Sequence, residues 1–241
     1  MKIIITKDYE ELSQKAFEVM KTVLANRNAV LGLATGSTPL GLYGKMIEDH
    51  LKNGTSYRDM RAINLDEYAG LSPENDQSYR YFMRKNLFDG IDIDLANTHI
   101  ENGLAADEAA ECARYNALLS RFPRDIQLLG IGANGHIAFN EPGTPFDSET
   151  HVVDLTENTI EMNARFFKSK DEVPRRAFTM GIKNITDAKK VLILACGASK
   201  ARAVYETVNG PVTENVPASI LQLHKDCILI ADREAAALIG G

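Results

Sequence analysis

Asp66 and Glu67 end a strand expected from the apolar run Ala62 to Leu65, where a carboxylate in a water-poor cleft can take a proton from carbon next to a carbonyl or imine. Along that run Ile63 and Leu65 point one way, Asn64 and Asp66 the other. Spacing does not choose between Asp66 and Glu67, and an Asp in this place also suits a turn or a helix cap. His136 and Glu141 lie five apart in the stretch Gly130 to Gly143, GIGANGHIAFNEPG. That separation lets the chain fold back and set the carboxylate against the imidazole as an acid/base pair. No second histidine stands at metal-ligand spacing, so no metal is expected.

Two other loops suit an anion. Thr35-Gly36-Ser37-Thr38-Pro39 follows the apolar run Ala29 to Ala34 and precedes a helix expected to start near Pro39, which offers unpaired amides and hydroxyls. The glycine spacing from Gly36 to Gly41 is that of a nucleotide P-loop, but Leu42 occupies the place of the required lysine, so ATP is not expected. Gly197-Ala198-Ser199-Lys200 repeats the pattern after Val191 to Cys196. A lysine at the positive end of a helix dipole costs about 0.3 to 1 kcal/mol, which an anion would offset.

Gly130-Ile131-Gly132-Ala133-Asn134-Gly135 matches the dinucleotide pattern GxGxxG. It fails as one, because the following residues run into Pro142 and Gly143 instead of opening a helix, and the glycines are read as allowing close backbone approach to a ligand.

These loops need a frame. Lys2 to Ile5, Ala29 to Ala34, Ala62 to Leu65, Ile126 to Ile131, Val191 to Cys196 and Cys227 to Ile230 are short apolar runs that read as buried strands. Between them, Tyr9, Leu12, Ala16, Val19 and Val23 repeat with helical spacing, and Ala109, Cys112, Ala113, Asn116 and Leu119 nearly do. Strand and helix in alternation predict an α/β fold: a doubly wound, mostly parallel sheet with helices on both faces, Rossmann-like in its layering. All four loops then face the carboxyl end of the sheet, where such folds bind ligands. Residues 1–241 are read as one domain without repeats or linkers, and the polar tract 142–180, which carries Arg165, Arg175 and Arg176, as a lid or a surface excursion.

Composition narrows the partners. The formal charge is −6 with Lys and Arg spread along the chain, so no basic stripe serves a nucleic-acid backbone, although one phosphate needs only a local cluster. Cys112, Cys196 and Cys227 are far apart and odd in number, which argues against a disulfide framework and for a reducing cytoplasm. The opening MKIIITKDYEE is too short in apolar residues for a signal peptide, and no run approaches membrane-spanning length.

The segments Asn64-Leu65-Asp66-Glu67-Tyr68 and Gly135 to Pro142 resemble those of the glucosamine-6-phosphate deaminase family. The likeness extends through Thr35 to Pro39, Ala164-Arg165-Phe166-Phe167 and Gly197 to Lys200, in the family's order. It implies conversion of glucosamine 6-phosphate and water to fructose 6-phosphate and ammonia, without a cofactor. Asp66 resembles the base that moves a proton from C2 to C1 through an enolamine, and His136, steered by Glu141, the residue that opens the sugar ring. Thr35, Gly36, Ser37 and Thr38 would hold the phosphate, with charge from Arg165 and Lys200, and the tract around Arg165 would be a lid.

The chain departs from some members of that family. Asn134 stands where they carry an aspartate that completes an acidic triad, so His136 feels one negative charge fewer. Ser37 replaces a common glycine. His151 and Val153 fall near the basic residues of allosteric hexamers, and the sequence ends at Gly241, so a monomer or small oligomer with little allosteric activation is expected. Alternatives are a related sugar-phosphate isomerase, a 6-phosphogluconolactonase-like hydrolase on the same sheet, or a non-catalytic sugar-phosphate sensor. For the sensor, no DNA-binding helix pair precedes the first strand.

Overall fold

Seven parallel strands build the frame: β1 (Lys2–Thr6), β2 (Val30–Leu33), β3 (Arg61–Asn64), β5 (Thr98–His99), β6 (Ile126–Leu129), β9 (Val191–Ala195) and β10 (Cys227–Asp232). The structure, a computed structural model, describes residues 1–157, 160–161, 167, 169 and 172–239. Strand order is β1-β10-β9-β6-β2-β3-β5. From β2 the chain winds outward through β3 to β5, returns to β6 beside β2, and winds the other way through β9 to β10. Right-handed crossovers in opposite directions put helices on both faces, and the reversal between β2 and β6 opens a crevice at their carboxyl ends.

All six expected strands are present, and every residue of β2, β6, β9 and β10 is buried, as a sheet covered on both faces requires. Helix α1 (Tyr9–Leu24) starts on Asp8, whose carboxylate accepts the Glu11 amide at 2.9 Å, a cap worth about 1 kcal/mol. Its buried stripe is Leu12, Ala16, Met20 and Leu24, turned slightly from the expected one, with Val19 and Val23 only partly covered. Helix α2 (Leu40–Asn53) begins after Pro39, as expected. Helix α3 (Tyr79–Asn86) precedes α4 (Glu108–Arg121), whose buried face is Glu111, Tyr115 and Leu119. Glu111 is taken inside because its carboxylate accepts the Asn102 amide at 2.7 Å and pairs with Arg114.

The expectation that Asp66 ends the third strand is corrected. The parallel pairing stops at Asn64, and Asp66 opens β4 (Asp66–Tyr68), part of a second sheet with β8 (Arg176–Thr179) and β7 (His151–Asp154). Asp66 pairs with Thr179, and Thr179 with His151. Both ends of the 142–180 tract therefore contribute strands, and its Leu155, Ile160 and Val173 gather with Tyr68, Phe139 and Ala177 in a small apolar cluster. Two short helices follow, α5 (Ile182–Thr186) and α6 (Ala201–Asn209). No helix among the described residues is long and apolar enough to cross a membrane.

Candidate active site

The loop after β6 turns tightly on itself. The Gly135 amide donates to Gly132 O at 3.1 Å and the Gly132 amide to His136 O at 2.9 Å, which returns the chain toward the crevice. Ala138, at φ 52°, is the one described non-glycine residue with left-handed backbone, a conformation that costs on the order of 1 kcal/mol. It is held in place from both sides. The Phe139 amide donates to the Thr179 hydroxyl at 3.2 Å, and the buried Asn140 side chain donates to Met180 O at 2.8 Å and Ile137 O at 3.0 Å. Thr179 thus joins the acid/base loop to the strand that carries Asp66.

Three of the expected residues meet within this loop. His136 Nδ1 stands 3.2 Å from Glu141 Oε1, close enough for an ion pair but not aligned as a hydrogen bond. The Asn134 side chain donates to Glu141 Oε2 at 2.6 Å, and its Oδ1 accepts the His136 amide at 3.3 Å. Asn134 therefore braces both members of the pair. A Cβ at Gly132 would lie 2.4 Å from the imidazole, so a side chain there would displace His136.

The structure separates the two acids that spacing could not. Glu67 accepts the amides of Tyr68 and Tyr79 at 2.9 Å and of Arg80 at 3.0 Å, so it caps α3. Burial pushes its carboxyl up, against the pull of those donors. Asp66 is 7% exposed, and none of the described residues donates a hydrogen bond to its carboxylate. Burial, and then the charge of Glu67, push its pKa up to about 8. A carboxyl so placed suits proton transfer near neutral pH.

The two loops expected to suit an anion follow β2 and β9. Gly36 and Gly197 have φ of 92° and 90°, which turn each loop back over its strand end where a side chain would be strained. Tyr9 closes the first loop: its hydroxyl sits 3.1 Å from the carbonyls of Ser37 and Thr38 and accepts the Gly41 amide at 2.7 Å. Gly36 and Ser37 are exposed, Thr35 and Thr38 half-buried. Asp232 closes the second, accepting the amides of Gly197 at 3.0 Å and Ala235 at 2.8 Å and the Cys196 thiol at 2.9 Å. Lys200 ends a short 3-10 turn before α6; burial lowers its pKa, and no carboxylate lies within 4 Å among the described residues. Arg165 lies outside the described residues. Tyr9 and Asp232 were missed by sequence reasoning, because their partners are 28 and 35 residues away.

The family described as glucosamine-6-phosphate isomerases/6-phosphogluconolactonase matches residues 7–230. The chain belongs to this family. A glucosamine-6-phosphate deaminase of Lactobacillus johnsonii is 56% identical over 237 residues, 98% of this chain and 97% of that one. Another, from Thermoanaerobacter sp. strain X514, is 51% identical over 241 residues, covering 99% and 95%. Among solved structures, a monomeric glucosamine-6-phosphate deaminase superposes with a TM-score of 0.96 at 48% identity, covering 99% of this chain and all of that one. The 6-phosphogluconolactonase of Leishmania guyanensis, at 22% identity and a TM-score of 0.78, shares the fold of the glucosamine-6-phosphate isomerase/6-phosphogluconolactonase family.

Proposed function

We propose that the chain converts glucosamine 6-phosphate and water to fructose 6-phosphate and ammonia. The observation that carries this reading is Asp66: a buried carboxyl raised to about 8, without a hydrogen-bond donor among the described residues, at the sheet end shared with His136 and Glu141. Relatives 56% and 51% identical that bear the deaminase name support it.

The phosphate rests on the amides and hydroxyls of Thr35, Gly36, Ser37 and Thr38, with charge from Lys200 and Arg165. Anchoring one end of the sugar fixes the other beside the acid/base groups. His136, held by Glu141 and Asn134, takes the anomeric hydroxyl proton and delivers one to the ring oxygen, which opens the ring to the aldehyde. Asp66 removes the C2 proton; the electron pair forms the C1–C2 double bond of an enolamine and the aldehyde oxygen gains a proton. Return of the proton to C1 leaves an imine at C2. Water adds to C2, and the C–N bond breaks to release ammonia and the ketone. The reaction consumes one water and needs no redox partner.

The likeness to a monomeric deaminase supports a monomer, and the free cysteines support a cytoplasmic setting. The test is to incubate the protein with glucosamine 6-phosphate and measure ammonia and fructose 6-phosphate, which are expected in equal amounts. Turnover of 6-phosphogluconolactone without ammonia from the amino sugar would overturn the reading.

A further inference from the structure

Away from the acid/base loop, a cavity of about 240 Å³ is lined by residues of α3, β3 and β5. Asn64, Arg80 and His99 supply part of its polar wall, with Arg84 and Thr98, and Met83, Phe88 and Leu95 part of its apolar wall. Asn64 is 2% exposed and its Nδ2 has no hydrogen-bond partner among the described residues; the buried Nε2 of His99 is unpartnered too. Unpaired buried groups of this kind are costly and mark places where a ligand can supply the missing bonds. The Arg80 guanidinium is half-buried, and no carboxylate lies within 4 Å of it among the described residues, whereas its neighbour Arg84 is held by Asp89 at 3.1 Å.

The charges around the cavity are positive on balance. Glu67 is taken up by three amides and Glu111 by Arg114. Burial pushes the Glu101 carboxyl well above its usual range, and Glu101 does not line the cavity. Burial, then Arg61, Arg114 and Arg80, hold His99 below its ordinary value.

We propose that this cavity is a second binding site, in which Arg80 and Asn64 hold the oxyanion of a small organic anion and the apolar wall covers its carbon skeleton. An arginine fork offers two parallel donors to a phosphate or carboxylate, and the Asn64 amide a third. Asn64 lies two residues before Asp66, and the Arg80 amide is bound to Glu67, so an occupant is connected to both acids through the residues that hold it.

The test is calorimetric titration of the full chain with inorganic phosphate and, separately, malonate, using the parent, Lys200→Gln and Arg80→Gln. Two phosphate sites are expected, one lost in Lys200→Gln and the other weakened at least tenfold in Arg80→Gln, which keeps its ammonia-releasing activity. The anion that binds more tightly to the Arg80-dependent site names the head group of the ligand. Should Arg80→Gln lose its melting transition, Arg80→Lys, which keeps the charge but not the fork, is expected to show the same weakening to a lesser degree. Superimposable isotherms for the parent and the folded arginine variant, with both anions, would overturn the proposal. A parent isotherm with the Arg80-dependent site but no Lys200-dependent one would count against the phosphate cradle of the proposed reaction and leave this site standing.

Discussion

Asn134 donates its side-chain amide to Glu141 Oε2 at 2.6 Å, while the other oxygen of that carboxylate stands 3.2 Å from His136 Nδ1. The neutral amide fixes the carboxylate without adding charge. A hydrogen bond to a charged group is worth about 1.5 to 3 kcal/mol, so Asn134→Ala is expected to lower kcat roughly tenfold with KM little changed. Asn134→Asp exchanges the donor for a like charge. The pH limb that reports ring opening should then move to higher pH, which a pH profile of kcat and kcat/KM will show.

Asp66 must be ionised to take a proton. With its pKa raised to about 8 by burial and by Glu67, the acid limb of kcat/KM is expected near pH 8, far above an ordinary carboxylate. A limb near pH 4 in the free enzyme would contradict this assignment.

The same shift acts on stability. Between about 4, the ordinary value in an unfolded chain, and about 8, the folded protein holds a proton that the unfolded chain has released. Stability therefore falls as pH rises through that window and levels off above it. Asp66→Asn stays neutral throughout, so its advantage in stability over the parent should grow from pH 5 to pH 8.5, by up to about 4 kcal/mol. Denaturant titrations of both proteins at the two pH values measure it.

Gly132 faces the imidazole so closely that a Cβ would stand 2.4 Å from it. Gly132→Ala is expected to displace His136 and cut kcat about a hundredfold, because a shift of about 1 Å in a catalytic group costs that much. Its φ is not left-handed, so the fold should survive with a melting temperature near the parent's. Kinetics alongside a melting curve separate the two effects.

The parallel sheet was legible because its strands are runs of buried aliphatic residues, such as Val191 to Ala195, that need no partner to be recognised. Strand β5 escaped because only Thr98 and His99 pair, too few for any periodicity. The second sheet escaped because β4 reads Asp-Glu-Tyr, charged residues buried for reasons of chemistry and capping, and its partners lie about a hundred residues onward. The acid/base loop declared its residue types, but not that Asn134 would bond the carboxylate across seven residues. Asp66 and Glu67 became distinguishable only when α3 placed the Tyr79 and Arg80 amides within reach of Glu67 and not of Asp66.

The transfer of a proton by Asp66 from C2 to C1 is tested most directly with glucosamine 6-phosphate deuterated at C2. The parent is expected to show a primary isotope effect on kcat/KM and to deliver part of the label to C1 of fructose 6-phosphate, seen by NMR. Asp66→Asn should lose at least about a thousandfold in rate, with no label at C1. Transfer of the label to C1 by Asp66→Asn at the parent's rate would contradict the assignment.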